Sequence, residues 1–258
     1  MTDYALPNTS QDLTGQVALV TGTTSGLGRR FAQVLASCGA KVAITGRRVE
    51  RLETLAEALR ATGAEVEPIA VDMRDSNAIV ACVEQAQAAL GTVTILVNNA
   101  GIPDAQRAHK MDNQLIDDVF DTNLRGPYVL SCEVARRLIA AELPGRMVNI
   151  SSIGAFNYAG QGAALYSITK AGIIRMTEAL AVEWARYNIN VNAIAPGAFA
   201  SEMMDGMLER MGDISKMFPR KRICDPAQMD STLLYLVSPA SEAVTGTFIK
   251  IDDGQGSR

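Results

Sequence analysis

Seven residues near the amino terminus, Gly22-Thr-Thr-Ser-Gly26-Leu-Gly28, join an apolar β-branched run, Gln16-Val-Ala-Leu-Val-Thr21, to a helical stretch, Arg29 to Ser37. A run with no polar alternation fits a strand buried on both faces of a parallel sheet. Glycines close ordinary turns as well, but strand, glycine-rich turn and helix in succession form the context a dinucleotide-binding turn requires. Without Cβ atoms the backbone can approach a pyrophosphate, and the helix amino terminus offers unpaired N–H groups to the phosphates. Gly22, Thr24, Ser25, Gly26, Leu27 and Gly28 are the candidate contacts.

The pattern then repeats. Lys41 to Thr45 reads as a second strand, and Val49 to Ala61 as an amphipathic helix with Leu52, Leu55, Ala56 and Leu59 on one face. An acidic residue at the end of such a second strand binds the adenine ribose of NAD, whereas arginine accommodates the 2′-phosphate of NADP. Gly46-Arg47-Arg48 has no carboxylate and offers two charge-assisted donors, which favours NADP(H) and leaves NAD(H) open. The bland alternative is that both arginines start a helix on the solvated surface. Glu65 to Val71 is the third strand, followed by Asp72 and Met73 as further cofactor candidates, and Ser76 to Leu90 the next helix. Thr94 to Val97 is the fourth strand. It runs into Asn98-Asn99-Ala100-Gly101, residues suited to a floor under a ribose or to a simple turn. A helical region from Asp112 to Ala140 holds Asn123, whose low helix propensity marks a kink or is merely tolerated.

Arg146-Met-Val-Asn-Ile-Ser-Ser152 places a serine at the carboxyl end of a strand, the edge where ligands bind in open α/β sheets. In the long helix Leu165 to Tyr187, Tyr166 and Lys170 stand one turn apart on one face. A lysine cation within a few ångströms lowers a phenol's pKa from about 10 and can make it a base; a solvated tyrosine beside a surface lysine would look the same. Asn190 to Ala195 is a strand stopped by Pro196-Gly197. Ser201 to Arg222 is irregular and rich in methionine (Met203, Met204, Met207, Met211, Met217), as a lid over an apolar substrate or a plain amphipathic helix would be. Asp225 to Val237 reads as a helix and Thr247 to Ile251 as the last strand. The alternation predicts an α/β fold, a doubly wound parallel sheet of about seven strands with helices on both faces. A single domain is expected over 12–258, after a flexible segment 1–11.

Composition removes other classes. The net charge of −4 and the lack of any basic block longer than Arg220-Lys-Arg222 argue against nucleic acid or an anionic membrane as partner. Four dispersed cysteines and one histidine make no metal site and suit a reducing compartment. The first residues lack a secretory pattern and no run approaches the ~18 apolar residues of a membrane span, so a cytoplasmic location is expected.

Taken together and in order, these motifs closely resemble the short-chain dehydrogenase/reductase family, from about residue 12 to 254. Thr21-Gly22-x-x-x-Gly26-x-Gly28 resembles its cofactor turn and Asn98-Asn99-Ala100-Gly101 its sheet-stabilising motif. Asn123, Ser152, Tyr166 and Lys170 resemble its catalytic tetrad. The resemblance implies a Rossmann fold and a homotetramer or homodimer built on the long helices. It implies Tyr166 as acid/base, Ser152 bonded to the substrate oxygen, Lys170 lowering the tyrosine pKa and binding the nicotinamide ribose, and Asn123 holding a water. Pro196, Gly197, Phe199 and Ser201 fall on the nicotinamide side, with serine where threonine is more usual. Ser152 lies one residue further from Tyr166 than the commonest spacing, which leaves Ser151 as an alternative, and Asp253 replaces a usual glycine. The expected activity is reversible carbonyl reduction on an apolar small molecule, with contacts in 102–111, 154–164 and 201–218. A 3-oxoacyl carrier-protein reductase, docking through Arg125, Arg136, Arg137 and Arg146, is the alternative; a non-catalytic nucleotide sensor is the rival of another class.

Overall fold

A computed structural model describes residues 4, 6–158, 160 and 162–256. The expectation of a flexible 1–11 segment lies partly outside these residues, as do Ala159 and Gln161 of the expected substrate loop. Among the described residues, Ser10 is tied down: its carbonyl accepts the Ser238 hydroxyl at 2.8 Å.

Seven parallel strands, β1 (Val17–Thr21), β2 (Lys41–Gly46), β3 (Val66–Ala70), β4 (Ile95–Asn98), β5 (Gly145–Ile150), β6 (Ile189–Pro196) and β7 (Phe248–Ile251), lie in the order β3-β2-β1-β4-β5-β6-β7. The order reverses between β1 and β4, which opens a crevice at their carboxyl ends. Alternate side chains of β1 explain the uniformly apolar run. Ala18 and Val20 pack on α1 (Gly26–Ser37), α2 (Val49–Arg60) and α8 (Asp230–Val237), against Phe31, Leu52 and Leu233. Val17 and Leu19 share the opposite layer with α3 (Ser76–Leu90), α5 (Gly126–Ala140) and α6 (Ala164–Trp184), against Ile79, Leu130 and Ile173. Fully burying each of the larger side chains among these contributes about 1.5–3 kcal/mol relative to exposure.

Several element bounds differ from the sequence expectation, each for a local reason. α1 begins at Gly26, inside the glycine turn, and Pro196 is the last residue of β6, paired with Ile251. The 112–140 region is α4 (Asn113–Phe120), a π turn (Asp121–Arg125) and α5, so Asn123 sits where the helical ladder changes register. The 225–237 helix opens as a 3-10 turn, Pro226–Met229, capped by Asp225. α7 (Glu202–Met211) and a 3-10 turn, Ile214–Met217, make up the methionine-rich segment.

Candidate active site

The crevice is a cleft of about 1280 Å³ lined from the glycine turn to the methionine segment. That exceeds the roughly 300–1,000 Å³ typical of one small-molecule pocket, so a dinucleotide and a second molecule have room together. At its base Thr21 stitches the two central strands: its Oγ1 accepts the backbone N–H groups of Asn99 (2.9 Å) and Ala100 (3.0 Å). The Asn99 amide donates to the carbonyls of Thr21 (2.8 Å) and Gly22 (3.3 Å), so this side chain fixes the turn. Asn98 turns the other way, into a buried network with Ser131 and Asn149, and is no part of a ribose floor. Gly28 packs so tightly that a Cβ would lie 2.3 Å from the Gly22 carbonyl oxygen. Ser25 stands at the helix N-cap with extended backbone and makes no side-chain cap, which leaves the first amides of α1 to an anion in the cleft. The residues present fit a dinucleotide pyrophosphate.

The two arginines after β2 stand in different states. Arg47 is exposed on the cleft rim and takes no hydrogen bond or ion pair among the described residues, though its charge reaches Asp72. Arg48 is engaged, donating to Thr24 Oγ1 (2.6 Å) and paired with Glu202 (2.9 Å). Asp72 lines the cleft and pairs with Arg74 at 2.6 Å, whose hydrogen bonds hold its carboxyl below the usual carboxylate range. Met73 also lines it, with its side chain largely in the core.

On the other side of the switch point, the adjacent serines divide. Ser151 is buried and its hydroxyl donates to the Lys170 carbonyl at 2.7 Å. Ser152 lines the cleft and hydrogen-bonds Tyr166, also in the lining. After Ser152 comes a 3-10 turn, Ile153–Ala155, which the serine caps at Gly154 (3.0 Å). Lys170 is buried, with Nζ 2.9 Å from the Ile150 carbonyl and 5.6 Å from the centre of the Tyr166 ring. Burial pushes its pKa down to about 8. The expected lowering of the tyrosine pKa is absent: burial pushes the phenol up, the Ser152 hydrogen bond opposing and the Asp104 charge adding to it. Asn123 clamps Ile102, accepting its N–H (2.8 Å) and donating to its carbonyl (2.9 Å). Its side chain and Lys170 Nζ both approach Gly101, each 3.4 Å from where a Cβ would stand.

Pro196, Gly197, Phe199 and Ser201 follow β6 into the lining. Ser201 Oγ is the N-cap of α7, accepting the Met204 N–H at 3.2 Å. Met203, Met204, Met207, Ile214, Met217 and Phe218 form an apolar wall, and Met211, grouped with them in the sequence, is not part of it. Sequence reasoning missed three contributors. Asp104 is buried and accepts the backbone N–H groups that open α6; Gln255 Oε1 accepts the Ala198 N–H at 2.6 Å in the cleft wall; and Glu202 bridges α7 to α2. No periodic pattern marks any of them, because each acts across loops. Three of the four expected docking arginines are held in ion pairs on their own helical segments. Arg125 pairs with Asp121, Arg136 and Arg137 with Glu133, while Arg146 lies near the amino end of β5, away from the cleft.

Residues 16–211 match the family model described as short chain dehydrogenase. The chain belongs to the short-chain dehydrogenase/reductase family. It is similar to the 2-dehydro-3-deoxy-D-gluconate 5-dehydrogenase of Dickeya dadantii, with 36% identity over 94% of this chain and 96% of that protein. It is likewise 36% identical to the acetoacetyl-CoA reductase of an Acinetobacter strain, over 93% and 97% of the two chains. Among solved structures, a variant of actinorhodin polyketide ketoreductase with NADPH superposes with a TM-score of 0.90 at 33% identity, covering 96% of this chain and 99% of the other. As a short-chain dehydrogenase/reductase, the protein is an NAD(P)-dependent oxidoreductase acting on CH–OH and C=O groups. Among the described residues, no helix is long and apolar enough to cross a membrane.

Proposed function

We propose that residues 12–258 act as one catalytic unit that interconverts a ketone and a secondary alcohol using NADP(H), on a substrate with an apolar body. The observation that carries this reading is the methionine and phenylalanine wall of α7 and the segment after it, which forms part of the same cleft as Ser152 and Tyr166. A sugar acid, of the kind named for the Dickeya relative, brings a carboxylate that needs a cation. Among the described residues, the cationic ones in the lining are Arg47, Arg48 and Lys170. Lys170 is bound to Ile150, Arg48 to Glu202, and Arg47 follows β2, three strands from β5, or about 14 Å at the usual strand spacing. An apolar ketone needs none of them.

The amides opening α1 would hold the pyrophosphate, Arg47 the 2′-phosphate, and Lys170 with the 196–197 turn the nicotinamide half. When bound, the cofactor supplies or accepts the hydride. Ser152 donates a hydrogen bond to the substrate oxygen, and Tyr166 delivers the proton to it as the alcohol forms. Burial keeps the phenol protonated, which suits a donor in the reducing direction. Asn123 and Asp104 hold opposite sides of this frame, the first fixing Ile102 and the second the start of α6.

The test is a substrate panel of apolar aryl and alkyl ketones, keto sugar acids and 3-oxoacyl thioesters, each with NADPH and NADH. Apolar ketones with NADPH should give the highest kcat/KM; a keto sugar acid turning over faster overturns the substrate reading, and faster rates with NADH overturn the cofactor reading.

A further inference from the structure

We propose that Glu202 is a specificity-determining residue, an internal carboxylate that occupies Arg48 and thereby limits affinity for the 2′-phosphate of NADP(H). The inference rests on the NADP(H) reading above. Arg47 and Arg48 are consecutive, both exposed and both on the cleft rim, yet only Arg47 is free of hydrogen bonds and ion pairs among the described residues. The fork of Arg48 is filled. Its Nε and Nη2 donate to Thr24 Oγ1 at 3.1 and 2.6 Å, Nη2 reaches Ser25 Oγ at 3.3 Å, and Nη1 meets Glu202 Oε2 at 2.9 Å. The second oxygen of Glu202 holds Arg51 of α2.

This carboxylate therefore stands among the cations at the end of β2, where an anionic group on the cofactor's adenine ribose would compete with it. A phosphate carries up to two negative charges and three acceptor oxygens, against one charge and two oxygens for Glu202. The Glu202 pairs are close to half exposed, and ion pairs in that setting are weak and exchangeable. Arg48 is thus a reserve cation, reached by the phosphate only at the expense of Glu202. The pairing also has a structural reach: Glu202 is the first residue of α7, directly after its cap Ser201, so the contest takes place at the root of the helix that carries Met203, Met204 and Met207.

Calorimetric titration with two fragments, 2′,5′-ADP and 5′-AMP, isolates the 2′-phosphate without turnover. Replacing Glu202 by glutamine removes the charge that holds Arg48, so Arg48 can turn to the 2′-phosphate, and should tighten 2′,5′-ADP by about tenfold at low ionic strength. Affinity for 5′-AMP should stay within about twofold. Glu202→Ala should shift the ratio the same way, and in an Arg48→Ala background the gain should vanish. An unchanged ratio in both Glu202 variants, or a gain that persists without Arg48, overturns the proposal. Wild-type preference for 5′-AMP would overturn the NADP(H) reading instead, while the shift in ratio still decides the role of Glu202.

Discussion

The carboxylate of Asp104 accepts the backbone N–H of Tyr166 at 3.1 Å, and the same oxygen accepts that of Leu165 at 2.9 Å. A loop residue thus caps the helix on which the phenol is mounted. Asp104→Ala leaves a buried amide, Leu165, and a partly buried one, Tyr166, without their partner, at about 1–3 kcal/mol for the buried one. The expected outcome is a lower kcat with KM little changed, because Tyr166 is displaced while the apolar wall is not. Asp104→Asn, which keeps an acceptor, should restore most of the loss. A variant whose melting temperature falls while kcat and its pH profile stay at wild-type values would reduce Asp104 to a stabilising cap.

Tyr166→Phe keeps the ring and removes the hydroxyl proposed as proton donor. General acid–base catalysis contributes about 10²–10⁴-fold, so kcat should fall by at least that range while NADPH titration gives a near wild-type Kd. Turnover close to wild type would remove Tyr166 from the mechanism.

Lys170 carries a pH signature. Its folded pKa, near 8, lies below the usual lysine value, so between about pH 8 and 10.5 the unfolded chain binds the extra proton and stability rises with pH. Neutral pH is where the buried cation costs most. Lys170→Met removes the titration, so its stability relative to wild type should fall by about 2–3 kcal/mol from pH 7 to pH 10. Urea unfolding at the two pH values measures this; a difference independent of pH would show that Lys170 titrates normally.

How much of this was legible in the sequence depended on the range of the interaction. β1, the glycine turn and α1 are contiguous, and their periodicity and glycine spacing are local, so the cofactor side could be read directly. Tyr166 and Lys170 share a helix face for the same reason. The choice of Ser152 over Ser151 rested on the resemblance, since both follow the same strand and only the packing of α6 gives Ser151 the Lys170 carbonyl. The direction of the Tyr166 shift differs from the expectation because a pair on a helix says nothing about burial, and burial is the largest cause, outweighing the Ser152 hydrogen bond. Asp253, where a glycine was expected, has φ +53 and is held by Arg220 and Arg222, a compensation invisible without the tertiary fold.

Arg47→Ala should weaken NADPH more than NADH. The loss is one hydrogen bond to a charged group, about 1.5–3 kcal/mol, or roughly ten- to hundred-fold in Kd. Fluorescence titration of both cofactors measures the ratio, and an unchanged ratio would assign the phosphate elsewhere. Gly46→Asp is a poor probe of the same contact, because a Cβ there would stand 2.9 Å from Thr24 Cγ2 and disturb the turn itself.

The expected oligomer has a candidate face. Tyr128 on α5 and Ile168 and Val182 on α6 are at least half exposed, Val182 at 81%. Val182→Glu should lower the molar mass seen by light scattering from that of a dimer or tetramer toward the protomer. A monomeric wild type would remove the proposal.

The π turn at Asp121–Arg125 spends one more residue per hydrogen-bonded ring than the helices on either side. In that sense the segment holding Asn123 is a graft: it lodges a surplus residue without rotating α5 away from its buried contacts at Leu130, Val134 and Leu138. A chain shortened by one residue within 121–125 could resume the ordinary ladder with both flanking helices still facing the core. With the fold kept in this way, what the shortened chain would lose is the clamp on Ile102. The clamp at this position is separable from architecture, one codon apart.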